Sequence, residues 1–248
     1  MQQTEFIPST WFYPRVTGRH KRRRPRQFIA IYAIALLSMS CLTGCGVEGP
    51  SGSLGPPNIT PQEPNAVSQN PQNWYIYYSA GMPSNPYADS AGVWSFAFPS
   101  SETGGHVNYV QTPFSATTTP TSVTITFKVE SASPQYVVVD TTDIPPATFR
   151  LFFEQQNDEL TNANGRWWYD EIIYDLGSQD NQTLTVTVPL TPDQWTNVDG
   201  EQNPQAFSAA LANIGSVGMT FGGQYFAGHG VALSSGSAKF ILISYSVM

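Results

Sequence analysis

The chain has 248 residues, with 11 Lys and Arg against 18 Asp and Glu, a formal charge of −7. An acidic surface repels phosphate polymers, which speaks against a nucleic-acid partner. The length suits one domain of ordinary size with flanking segments.

The first of these flanks is strongly basic. Arg15, Arg19, Lys21, Arg22, Arg23, Arg24 and Arg26 precede the uncharged stretch "QFIAIYAIALLSMSCLTGC". Its apolar core, from about Phe28 to Leu37, is short of the ~20 residues that span a bilayer. Basic, then apolar, then small residues is the order of a secretory signal peptide, here residues 1–44. An ordinary secretory signal or an uncleaved anchor is the alternative. Leu42, Thr43, Gly44 and Cys45 resemble a bacterial lipobox. That resemblance implies that Cys45 is acylated through its sulfur, with palmitate-type chains added, and becomes the first residue of the mature chain. Cys41 is then lost on cleavage. Buried acyl chains contribute ~0.8 kcal/mol per CH2, so several together hold firmly to a membrane. Gly46 stands where an aspartate would, in that family, favour retention in the inner membrane. The expected location is therefore the bacterial cell envelope, at the outer membrane.

A cut before Cys45 leaves 4 basic and 17 acidic residues, 4 − 17 = −13. It leaves no cysteine pair, so no disulfide supports the domain. Residues 45–72 are rich in Pro, Gly, Ser, Asn and Gln and poor in large apolar side chains. Such a segment cannot bury enough surface to offset chain entropy, and it reads as a flexible tether. Residues 73–248 form the domain.

That domain reads as strands with period-two alternation. Early strands are expected at "NWYIYYS", "GVWSFAF" and "HVNYVQ". In "VTITFKV", Val123, Ile125, Phe127 and Val129 face inward and Thr124, Thr126 and Lys128 outward. "TFRLFFEQ" turns Phe149, Leu151 and Phe153 inward and Arg150 outward. "TLTVTVPL" places Leu184, Val186, Val188 and Leu190 on one face. In "NPQAFSAALANIGS", Asn203 suits a helix cap and Pro204 a first turn. Phe207, Ala210, Leu211 and Ile214 fall on one helical stripe, and Gly215 supplies the stop. "SVGMTF" then offers Val217, Met219 and Phe221. The last strand, "AKFILISYSV", is apolar on both faces and belongs in the middle of a sheet. The expected class is all-β, a jelly-roll β-sandwich with one short helix near 204–214.

The order of the later elements is similar to that of galactose-binding-domain-like jelly rolls, the fold of many carbohydrate-binding modules. A strand ending in "VPL" leads through a loop with Trp195 to a short helix, then "ANIGSVGMTFGG", then the closing strand. The resemblance spans about Trp94 to Val247. It implies a binding module, and such modules often hold a structural calcium. The tail "ISYSVM" has no acid where that family often places one, and no calcium ligand is assigned; no other cofactor is expected.

Aromatic residues carry the functional reading. In "GRWWYDEIIYD", Trp167 and Tyr169 share one strand face and Trp168 takes the other. One face enters the core. The other displays a ring beside Arg166, Asp170 or Glu171, which suits the C–H face and hydroxyl rim of a sugar. These rings are equally what a sheet uses as filler. A second group comes from loops: His106, Gln224, Tyr225 and His229. Without HxH, HExxH or a cysteine ligand, the histidines make a poor zinc site. No nucleophile elbow accompanies them. The expected function is therefore a lipid-anchored, exported, non-catalytic binding module for a glycan. An envelope adhesion or scaffold lipoprotein holding another envelope protein is the rival, and a glycan-active hydrolase the third reading.

Overall fold

The computed structural model describes Asn65 and residues 67–89, 93–139, 145–158, 162–178, 181–224 and 229–248. Cys45, the leader and Tyr225 lie outside them. Among the described residues, twelve strands form two antiparallel sheets that pack as a β-sandwich. The strands are β1 (Tyr75–Tyr77), β2 (Tyr87–Ala88), β3 (Trp94–Ala97), β4 (Tyr109–Pro113), β5 (Ser122–Val138) and β6 (Thr148–Gln155). After them come β7 (Arg166–Tyr169), β8 (Tyr174–Asp175), β9 (Thr183–Pro189), β10 (Trp195–Asn197), β11 (Ile214–Gly222) and β12 (Val231–Val247), with one α-helix, α1 (Pro204–Leu211). The larger sheet runs β1-β4-β11-β6-β7-β10, with β8 also on β6; the smaller runs β2-β3-β12-β5-β9.

The core forms where the inward faces meet. Phe240 of β12 contacts Phe96 at 5.4 Å, Phe127 at 5.7 Å, Phe149 at 5.4 Å and Phe221 at 5.6 Å between ring centroids. These rings are fully enclosed, and offset or edge-on pairs of this kind add to their area burial. The alternation expected of β5, β6 and β11 holds: Val123, Ile125, Phe127, Phe149, Leu151, Phe153, Val217, Met219 and Phe221 are all buried in one cluster. The closing strand is indeed central, between β3 and β5. It is 17 residues long and pairs with β5 along its length.

Two boundaries differ from the sequence expectation. The helix ends at Leu211, not at 214, and Ile214 instead opens β11 opposite Gln155. Ladder pairing here outweighs the helical period. Gly215 is therefore a strand residue, not a stop. A Cβ there would stand 2.6 Å from the Gln156 Cα, so the close approach of the two backbones requires glycine.

The packed domain also begins before Asn73. Val67 is buried in the core cluster. Asn65 donates through Nδ2 to the Thr118 carbonyl at 3.3 Å and accepts from the Thr117 N–H at 2.9 Å. Gln69 donates to the Tyr245 carbonyl at 3.0 Å. Polar side chains that satisfy backbone groups replace the apolar burial whose absence made this stretch read as tether.

Candidate functional site

The outer face of the larger sheet carries the candidate site, and register alone assembles it. Side chains on one face of neighbouring strands line up across the ladder. Tyr75 faces Gln111, Gln111 faces Gly218, Gly218 faces Phe152, Phe152 faces Trp168, and Trp168 faces Thr196. That is one row across six strands. A second row sets Tyr77 opposite Tyr109, then Thr220, then Arg150. A third sets Pro113 opposite Ser216, then Glu154, then Arg166.

Rings in these rows touch in sequence. Tyr78 meets Tyr109 edge-on at 5.6 Å, Tyr109 meets Phe152 edge-on at 5.3 Å, and Phe152 stacks on Trp168 at 6.2 Å. Tyr75 and Tyr77 stack on each other at 5.7 Å. The series grades from wet to dry. Tyr78 is 60% exposed and Tyr77 44%, whereas Trp168 is 6% and Phe152 1%. Tyr77 and Tyr78 are consecutive yet serve the same face, because Tyr78 takes a left-handed backbone, φ +49°, which breaks strand alternation.

Polar groups flank the rings. The Arg166 guanidinium lies 6.0 Å above the Trp168 ring, and its Nε lies 3.1 Å from Oδ2 of Asp158. Ser216 donates to Glu154 Oε2 at 3.0 Å. Burial, above all, holds the Glu154 carboxyl above the usual glutamate range; the nearby Asp158 charge adds to this, and the Ser216, Gln111 and Arg166 contacts offset it in part. The Tyr109 phenol is pushed up to about 12, again chiefly by burial and despite the Arg166 guanidinium. Asp170 is likewise raised by burial, partly offset by hydrogen bonds from Thr196 and Gln202 and by the Arg150 charge. Arg150 is itself a structural tie: it donates to the carbonyls of Tyr169, Asp170 and Gln224.

The residues singled out in the sequence are divided by this geometry. Trp167 points inward, fully buried edge-on to Phe207 at 5.3 Å, with its indole N–H on the Asn164 carbonyl. It cannot reach a ligand, because strand alternation sends it into the core. Tyr169 shares that inner face, half-buried against Trp195. Trp168 and Arg166 lie on the outer face, with Asp170 at its margin and Glu171 exposed beyond. Gln224 is exposed, and its backbone ties to Arg150.

His106 sits at the tyrosine end of the sheet, against the residue that follows His229. His106 Nε2 lies 3.2 Å from the Tyr78 carbonyl, and its ring packs so closely on Gly230 that a Cβ there would stand 2.8 Å away. Of the loop group, His106 therefore adjoins the tyrosine end of the ring series. Tyr75, Tyr77, Tyr78, Tyr109, Gln111, Phe152 and Glu154 are the residues the sequence reading missed. They come from three strands and the turn after the first, so only the ladder reveals them as neighbours. Among the described residues no group of three or more His, Cys, Asp or Glu side chains could hold a metal ion. No helix among them is long and apolar enough to cross a membrane. Comparison with protein-family models and with curated proteins found no match.

Proposed function

We propose that the protein is a lipid-anchored envelope module that binds a glycan without chemistry, through the outer face of its larger sheet. The observation that carries the reading is the exposed pair Tyr77 and Tyr78, with the half-buried Tyr75 stacked on Tyr77, at the open end of a ring series bordered by His106, Gln111 and Glu154. A sugar offers an apolar C–H face to such rings and hydroxyls to amides and carboxylates around them. Compared with the tryptophan pair, the tyrosines have the solvent access that stacking needs. The lipid anchor rests on "LTGC" at Cys45 and the basic and apolar segments before it, and the choice of the outer membrane on Gly46.

Screening the full chain on a glycan array tests the binding. Tyr77→Ala and Tyr78→Ala are expected to weaken capture at least tenfold, about 1.4 kcal/mol, with an unchanged melting temperature. If no glycan is held and one envelope protein co-purifies, the scaffold reading replaces this one; if the bound glycan is cleaved, the hydrolase reading does. Cys45→Ala is expected to release the chain from membranes. Wild-type fractionation of that variant would remove the anchor from the proposal.

A further inference from the structure

Sandwiches have sheet edges, and this one leaves a long edge open. Among the described residues the larger sheet ends in β1 and β10, three residues each, and the smaller sheet begins with the two-residue β2. Short edges offer little backbone to a stray strand. The fourth edge, β9, is seven residues long and among the described residues pairs only with β5, in unbroken register from Ser122–Pro189 to Lys128–Thr183. It carries no bulge, no internal proline and no charge. Indeed no charged residue occurs between Asn181 and Pro192.

The direction of its backbone groups can be worked out. Leu190 donates to the Thr121 carbonyl at 2.8 Å, which fixes the parity of the ladder. Val188, Val186 and Leu184 are therefore the residues bonded to β5. Thr183, Thr185 and Thr187 turn their N–H and C=O groups to the open side. Their side chains are exposed. Leu184 and Val186, although they face the core, are only half-covered.

We infer that β9 is a self-association edge, and that a second copy of this chain adds its own β9 antiparallel across a two-fold axis through Thr185. In that register Thr185 faces Thr185 of the second copy and Thr183 faces its Thr187. Each facing pair exchanges both backbone bonds, and Pro189, which has no N–H, is left outside. The Thr–Thr contacts already made inside the sheet, Thr124–Thr187 at 2.8 Å and Thr126–Thr185 at 2.9 Å, continue across the axis. The half-covered Leu184 and Val186 gain cover from their counterparts. The stretch Thr183-Leu184-Thr185-Val186-Thr187 is nearly palindromic about Thr185, which suits a like partner, and the charge does not oppose one at this edge. A chain with 4 basic and 17 acidic residues after Cys45 repels its copies, and the repulsion is least where no charge stands.

The test uses the full chain with Cys41→Ser and Cys45→Ser. Paired Cα atoms at a bonded position are ~5.5 Å apart, inside the range a disulfide spans. Under mild oxidation Thr185→Cys is expected to give a disulfide-linked dimer on non-reducing gels, at least tenfold over Thr124→Cys, which sits one strand inside. In sedimentation in density-matched detergent the wild type is expected as a dimer and Thr185→Pro as a monomer with unchanged melting. Proline is tolerated on an edge strand; should it unfold the domain, Thr185→Lys, which sets like charges on the axis, takes its place. Cross-linking no greater than at position 124, a dimer that survives both substitutions, a ladder of higher oligomers, or capture of another protein's strand in place of a copy would overturn the inference.

Discussion

Asp158 and Arg166 form an ion pair at 3.1 Å in which the carboxylate side chain is 2% exposed and the guanidinium side chain 11%. The contact is ionic more than an aligned hydrogen bond, since neither of the two atoms meets hydrogen-bond geometry with the other. It fixes Arg166 above Trp168 and so shapes the margin of the ring series. Removing one partner of a buried pair leaves the other charge uncompensated. Asp158→Ala is expected to cost about 3 kcal/mol, read as a lower urea midpoint at unchanged slope. A loss under 1 kcal/mol would mean that solvent reaches the pair.

The same pair makes a prediction for a residue that carries no charge. A Cβ on Gly165 would stand 2.7 Å from the Asp158 Cγ. Gly165→Ala must displace the carboxylate that pairs with Arg166, and overpacking of this kind costs about 2 kcal/mol. In a double-mutant cycle Gly165→Ala and Asp158→Ala should be less than additive, because both act on one contact. Full additivity would separate the glycine from the pair.

Much of the fold was legible in the sequence because burial on one face of a strand repeats every second residue. Phe149, Leu151 and Phe153 could be placed inward from that period alone, and so could Val217, Met219 and Phe221. The candidate site was legible only in part. "RWWY" announces itself as a cluster, but alternation sends Trp167 to the core and Trp168 outward, and which is which depends on the side taken by β6. Tyr109, Phe152 and Glu154 look like ordinary strand residues until register sets them beside one another. Asn65 was read as tether because its contribution is hydrogen bonding, which composition does not record.

Trp167 and Trp168 should therefore behave differently when truncated. Trp167 fills the core against Phe207 and donates its N–H to Asn164. Trp167→Ala is expected to destabilise by about 4 kcal/mol. Trp168 rests on Phe152 and under Arg166, outside the inter-sheet core. Trp168→Ala should cost clearly less, while exposing Phe152 and altering the bound-ligand profile on an array. Equal losses measured by chemical denaturation would show that the outer rings are as much core as the inner ones.

Asn65 anchors the N-terminal end of the domain. It takes a left-handed backbone, φ +71°, which asparagine tolerates better than alanine. Its amide serves both Thr117 and Thr118. Asn65→Ala should cost about 2 kcal/mol, and Asn65→Gly less than that but still a measurable amount, since glycine restores the backbone but not the bonds. If Asn65→Gly matches wild type in a urea melt, the hydrogen bonds contribute nothing net.

Glu154 gives the domain a pH dependence whose sign can be worked out. Its carboxyl in the folded state holds a proton more tightly than the ordinary glutamate value of 4.5, because burial penalises the charged form. The folded state therefore binds the proton better than the unfolded chain does. That contribution to stability is complete below about pH 4.5 and is lost as pH rises through the raised folded value. Asp170 acts in the same direction from its ordinary 3.8. Glu130 acts oppositely: hydrogen bonds from Lys128 and Lys239 lower it, so its contribution is present at neutral pH and lost on acidification. Glu154→Gln keeps the shape and the Ser216 contact while removing the charge. Its melting temperature should match wild type near pH 4 and exceed it at pH 7. A difference that is the same at both pH values would show that the carboxylate is as well solvated on the sheet as in the unfolded chain.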